Sequence, residues 1–249
     1  MTALRCLLDF RIGAWVHARL AGVVPFTWLL RCIIQLIPVH ACLAEVVPFT
    51  TDLTEWLVEQ MPGGRVYPAD HALVIEDIGG CTVWYRHALS APMEITFEAK
   101  VVMQGGPHDR LSDLNCFWMA TAPTEPDGLM AASTKRTGLF GDYDTLATYY
   151  VGYGGNENST TRFRRYMGTG DRPLLPEHDL GDAAHLLVPN HVYRIKLVAC
   201  AGRAEYWRNG ELIFAYDDPT PLTQGYFGFR TVKSHLVIRN FKVTPLGKR

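Results

Sequence analysis

The chain has 249 residues, 48% of them hydrophobic and 20% charged, with a formal net charge of −1. That length allows one large β domain or two small ones, and the composition excludes collagen-like, low-complexity and disordered classes. A balance this close to neutral gives no electrostatic case for nucleic acid as a partner.

The first 44 residues differ from the rest. They carry Arg5, Arg11, Arg19 and Arg31 against a single acid, Asp9, with apolar runs at 20–30 and 32–39 divided only by Arg31. Ala41-Cys42-Leu43-Ala44 fits the small-x-small rule of signal-peptidase cleavage, so a signal peptide over 1–44 and a secreted or periplasmic domain over 45–249 are expected. The alternative is a membrane anchor, which would be the protein's one membrane contact. Arg31 near its centre would cost roughly 3 kcal/mol. Losing 1–44 removes four arginines and one acid and leaves the remainder at −4. It also leaves three cysteines, Cys81, Cys116 and Cys200; an odd count without C-x-x-C argues against a disulfide framework or a zinc site.

From Phe49 onward the chain reads as short strands between turns. "ALVIED" and "TVWYR" come first. "MEITFEAKVVM" then alternates, with Met93, Ile95, Phe97, Ala99 and Val101 on one face and Glu94, Thr96, Glu98 and Lys100 on the other. "LNCFWMAT" follows. "VYRIKLVACA" alternates in the same way, "RAEYWRNGELIFAY" is a hairpin about Asn209-Gly210, and "GYFGFRT" and "LVIRNFKV" close the series. Stretches 104–113, 123–145 and 168–190 lack strand patterning and read as functional rims. With 11 Tyr, 11 Phe and 6 Trp beside 22 Gly, the pattern predicts an all-β fold with too many strands for one open sheet. A two-sheet antiparallel sandwich or jelly roll follows.

One stretch stands out, "TYYVGYGGNENSTTRFRRY" at 148–166. Read as a hairpin with "NENS" as a four-residue turn, Gly155 opposes Thr160, Tyr153 opposes Arg162, Val151 opposes Arg164 and Tyr149 opposes Tyr166. Opposed residues share a face, so Tyr149, Tyr153, Arg162, Arg164 and Tyr166 are expected on one side. Tyr150, Gly152, Phe163 and Arg165 fall on the other, the better core face. A turn one residue longer or shorter regroups both faces. Phenols offer sugar rings flat platforms with a polar tip, and arginine forks grip carboxylates or sulfates, so a hydroxyl-rich anionic ligand is expected. The bland reading is cross-strand Tyr–Arg stacking on a solvated face.

The C-terminal run from Tyr193 to Val243 has a Tyr-Trp strand end, an Asn-Gly turn and an Asp-Asp-Pro link. A glycine-aromatic-glycine-phenylalanine strand and an Asn-Phe-x-Val strand complete it. It resembles the last strands of concanavalin A-like lectin/glucanase sandwiches, in particular the bacterial YesU-like family and its uncharacterised relatives. "YYVGYGGNENSTTRFRRY" is similar to those relatives too. The resemblance covers 52–245 and implies a jelly roll whose sheet binds polysaccharide, among systems that degrade uronate-containing glycans. It brings no catalytic residues with it.

The chemistry therefore rests on the residues. Retaining glycosidases of this fold need two carboxylates about 5–5.5 Å apart, and neither E-x-D-x-E nor E-x-D-x-x-E occurs. A polysaccharide lyase needs a cation for the uronate carboxylate, a base for the C5 proton and an acid for the leaving oxygen. Arg162, Arg164 and Arg230 suit the carboxylate, and Tyr149, Tyr153 or Tyr166 suit acid and base where adjacent arginines lower a phenol pKa. His108 and His235 lie on rim segments as further acid–base candidates, and Trp118 and Asn156 complete the expected ligand contacts. The Gln-x-His pattern of alginate lyases is absent. His178, His185 and His191 cluster in one long loop, a feature more of an enzyme than of a simple binding module. No cofactor is expected; Asp142 and Asp144 in "GDYDT" offer half of a structural calcium site, which needs six or more oxygens. The expectation is an exported protein acting on uronate-containing polysaccharide by β-elimination. The alternatives are a non-catalytic binding module, then a glycoside hydrolase.

Overall fold

The structure is a computed structural model that describes residues 44–49 and 52–247, so the expected export segment lies almost wholly outside the described residues. In chain order the first strands are β1 (Glu45–Val46), β2 (Trp56–Gln60), β3 (Arg65–Ala69), β4 (Ala72–Glu76), β5 (Cys81–Tyr85) and β6 (Leu89–Ser90). Then come β7 (Met93–Val101), β8 (Asn115–Thr121), β9 (Ala147–Gly154), β10 (Thr160–Met167) and β11 (Asp179–Leu180). The chain closes with β12 (Tyr193–Cys200), β13 (Arg203–Arg208), β14 (Glu211–Asp217), β15 (Gln224–Thr231) and β16 (His235–Pro245).

These strands form two antiparallel sheets. The first runs β14-β13-β12-β7-β16-β4-β3, with β1 beside β16; the second runs β11-β10-β9-β8-β15-β5-β2, with β6 beside β15. The chain crosses between sheets repeatedly, as in a jelly roll, so the predicted all-β sandwich is the fold. Where a strand has one wet face, its burial follows the sequence period: β7 alternates buried and half-buried along its whole length. Asn209 and Gly210 both take positive φ, 53° and 86°, and make the predicted tight turn between β13 and β14.

The core between the sheets is aromatic. Trp56 stacks on Phe229 at 5.5 Å, Phe229 meets Phe97 edge-on at 5.0 Å, and Phe227 packs on Phe241 at 5.0 Å. Cys81, Cys116 and Cys200 are free thiols, the first two buried. Among the described residues no helix is long and apolar enough to cross a membrane.

The three unpatterned stretches are the long connections, and 123–145 becomes a cover. Short helical turns within it lay Leu129 and Tyr143 over Trp84, Phe117 and Tyr150 on the outer face of the second sheet. Gly228 makes room beneath: a Cβ there would lie 2.6 Å from the Trp84 ring, which stacks on Phe117 at 5.5 Å. The cover is pinned by one buried acid. Glu59, 4% exposed, accepts hydrogen bonds from Trp84 Nε1 (3.0 Å) and the Tyr143 hydroxyl (2.8 Å), and pairs with Arg136 at 2.7 Å.

Candidate functional site

The β9–β10 hairpin decides which side chains reach the open part of that outer face. Its turn is as expected: Gly155 bridges Thr160. Beyond it the register slips by one. Arg162 pairs with Gly152, Phe163 with Val151, Arg164 with Tyr150 and Arg165 with Tyr149. Two residues lie between Gly152 and Gly155 where one lies between Thr160 and Arg162, so β9 carries a bulge. Gly154 sits in the left-handed region at φ 66°, and a Cβ there would lie 2.2 Å from Leu187. Its N–H donates to Thr161 Oγ1 at 3.2 Å.

The expected five-residue face is therefore corrected. Arg162, Arg164 and Tyr166 point outward, but with Tyr150 and Gly152 rather than with Tyr149 and Tyr153. Tyr149 and Tyr153 face the inter-sheet core with Phe163 and Arg165. There the Tyr149 hydroxyl donates to Asp218 (2.8 Å), which also holds Arg165 at 2.7 Å. The Tyr153 hydroxyl donates to the Leu186 carbonyl and accepts from Arg208. Arg165, awkward on a core face by sequence, is satisfied by this buried ion pair. Burial opposes ionisation of Asp218, but Arg165, the Thr220 N–H and the Tyr149 hydroxyl outweigh it and hold the carboxyl below the usual range.

The outward set lines an open cleft of about 360 Å³ together with Arg110, Asn115, Phe140, Asn156 and Arg172. Three of its four arginines are matched by acids. Arg162 grips Asp179 through two bonds of 2.7 and 3.1 Å, and Arg172 grips Asp144 through two of 2.7 Å while lying 4.5 Å over the Phe140 ring. Arg110 reaches Asp113 at 3.4 Å and Glu157 at 3.5 Å. Arg164 differs: its guanidinium donates only to the carbonyls of Arg172 and Pro173, and no carboxylate pairs with it among the described residues. Beside it the Tyr166 hydroxyl is buried without a hydrogen-bond partner among the described residues. Burial raises that phenol to about 12, although Arg164 and Arg172 pull it down. Burial also raises Tyr150, so the cleft's phenols are protonated at neutral pH.

The other expected contacts are dispersed. Trp118 is wholly buried between the sheets against Tyr149 and Phe163, because its strand parity points it inward. Asn156 lies at the cleft rim, on the left-handed turn. His235 Nδ1 pairs with Asp109 at 2.9 Å, and neither it nor His108 lines the cleft. Arg230 shares the outer face but is fully buried beneath the cover. The three loop histidines have separate surroundings: His178 packs on Phe163, His185 pairs with Asp182, and His191 meets Tyr193. Asp144 is engaged by Arg172, and Asp142 accepts from the Thr137 N–H and hydroxyl. No group of three or more His, Cys, Asp or Glu converges among the described residues. Sequence reasoning missed Arg110, Asn115 and Arg172, which sit on or beside loops with no periodic signal. The paired glycines Gly154-Gly155, next to a turn, were the available sign of a bulge.

Comparison with solved structures gives the same architecture. A galectin-like protein of unknown function from Bacillus subtilis is 20% identical, with a TM-score of 0.60 over 80% of this chain and 93% of that one. The β-glucanase of Bacillus licheniformis is 11% identical, with a TM-score of 0.52 over 82% of this chain and 98% of that one. The carbohydrate recognition domain of Emp46p is 12% identical, with a TM-score of 0.51 over 79% and 94%. No curated protein matches the chain in sequence. At these identities the likeness establishes the sandwich. A family model matches residues 75–241, two thirds of the chain, and the protein belongs to that family, described as Domain of unknown function (DUF6250).

Proposed function

We propose that the protein binds an acidic polysaccharide, with uronate units, in the cleft on the second sheet. The observation that carries this reading is Arg164, the cleft arginine without a carboxylate, set beside the unpartnered Tyr166 hydroxyl. A guanidinium in that condition suits a ligand carboxylate, and a buried hydroxyl without a partner suits a ligand acceptor. Tyr150 and Phe140 line the same cleft as ring-stacking surfaces, and Asn156 and Thr160 offer hydrogen bonds to sugar hydroxyls. The fold supports the ligand class: a β-glucanase and a carbohydrate recognition domain share it. Kinship with the YesU-like family, expected from sequence, belongs with this reading.

β-Elimination is the second reading, favoured by Tyr166. A phenol protonated across the neutral range is a ready donor to the leaving O4 as the C5 proton goes to a base and the C4–C5 double bond forms. The same high pKa disfavours phenolate as that base, so binding is the better supported function. Hydrolysis by paired carboxylates has less support, since among the described residues Asp113 is the one acid lining the cleft and it is held by Arg110, Ser112 and Asn115. We place the protein outside the cytoplasm on the composition of 1–44; N-terminal sequencing of exported protein tests that.

The decisive experiment runs the protein in gels containing pectate, alginate or glucuronan and follows unsaturated-uronate absorbance in solution. Retardation lost in Arg164→Met supports the binding reading, and growing absorbance adds the elimination. Normal migration in every polymer, with no absorbance change, removes both.

A further inference from the structure

We propose that Arg230 forms a second, enclosed subsite that takes a carboxylate carrying a neighbouring hydroxyl, the chemistry of a sugar acid. The proposal rests in part on the cleft reading, since a uronate in the cleft is one source of that group.

Arg230 is 0% exposed. Its Nη1 donates to the Gly138 carbonyl at 2.5 Å and to Thr82 Oγ1 at 3.3 Å. Nε and Nη2 are buried with no hydrogen-bond partner among the described residues. The Tyr143 and Phe140 rings lie 5.2 and 5.5 Å from its Cζ and soften the charge, but they do not replace an acceptor in the guanidinium plane. A buried cation needs a counter-charge, and the acids around this one are engaged elsewhere. Glu59 is held by Arg136, Trp84 and Tyr143, and Asp77 by the Lys233 N–H and the Gln60 amide. The free edge faces Gly80, whose lack of a side chain lets the backbone approach: a Cβ there would lie 3.0 Å from Nη2 and 2.3 Å from the Gly138 carbonyl.

The hydroxyl requirement comes from the opposite strand. Asn115 is the cross-strand partner of Arg230, and its Nδ2 is fixed on Asp113 at 3.1 Å. Its Oδ1 is buried and without a partner among the described residues. An orphan acceptor beside two orphan guanidinium N–H groups is a poor match for a bare anion. A carboxylate for Arg230 with an adjacent hydroxyl donating to Asn115 completes both. Asn115 and Phe140 also line the open cleft, so the subsite adjoins it.

Thermal unfolding of the whole protein tests this in sodium glucuronate, sodium acetate and sodium chloride at matched ionic strength. Glucuronate is expected to raise the midpoint by about 3–8 °C over chloride when it is well above its Kd, and over acetate by most of that. Arg230→Met removes the difference, whereas Arg164→Met keeps most of it. If Arg230→Met does not fold, Arg230→Lys keeps the charge but not the planar fork and is expected to lose the preference for glucuronate over chloride. Equal midpoints in the three salts, or a glucuronate gain that survives both Arg230 substitutions, overturn the proposal. If no polymer is retarded in gels but this gain depends on Arg230, the cleft reading fails and the subsite stands.

Discussion

One sheet face holds two opposite solutions. Over β5, β15 and the end of β8, the outer face of the second sheet is sealed by 123–145 and packs Trp84, Phe117 and Tyr143 into a small second core. Over β9 and β10 the same face is open and carries Arg162 and Arg164. The sealed half gathers a satisfied knot of polar groups about Glu59 and keeps Arg230 beneath its cover, while the open half leaves a guanidinium without a carboxylate and a hydroxyl without a partner among the described residues. If the cleft binds as proposed, stability and recognition divide across a few strands, and substitutions separate them.

The largest effect is expected at the knot. Glu59→Ala leaves Arg136 buried without its acid, and chemical denaturation should report a loss of about 3–5 kcal/mol. On the inner side, Asp218→Asn strands Arg165 in the same way and should cost nearly as much. It should also change the acid limb. The folded-state pKa of Asp218 is depressed, so its contribution is fully present above the unfolded value of about 3.9 and is lost as pH falls through the lower folded value. Asp218→Asn should flatten the stability profile in that window, and a profile as steep as the parent's would refute the assignment.

Gly154→Val tests the boundary between the two faces. Positive φ and the clash with Leu187 predict a loss of about 1–3 kcal/mol, together with weaker polymer retention as the bulge relaxes. The smallest stability effects belong to the open half. Arg164→Met should stay within about 0.5 kcal/mol of the parent while losing retention in acidic polymers. Tyr166→Phe removes a buried hydroxyl without a partner, so it should be neutral or stabilising by up to about 1 kcal/mol and still weaken retention. A clear destabilisation by either change would erase the contrast between the halves.

Much of the sandwich was legible because its strands keep period two. Met93 to Val101 and Tyr193 to Ala199 show their faces directly, and Asn209-Gly210 marks its own turn. Strands buried on both faces, such as Cys81–Tyr85, show no alternation and give no hint that a loop covers them. The site was legible in residue type but not in grouping. Sequence groups Arg162, Arg164 and Tyr166 on one face as the structure does, whereas Tyr149 and Tyr153, expected beside them, and Trp118, expected at the ligand, turn into the core. Arg110 and Arg172 reach the cleft through tertiary contacts that no local pattern encodes.

The bulge at Gly154 also bears on how relatives of this chain should be compared. Side-chain identity along β9 and β10 does not decide what faces a ligand; the number of residues between Gly152 and Thr160 does. A deletion of one residue there would turn Tyr149 and Tyr153 outward, or Arg162 and Arg164 inward, with no substitution at all. Aligned relatives with identical arginines but one residue fewer in this segment would present a different surface, and indels rather than point changes are where the outward face of this hairpin would diverge first.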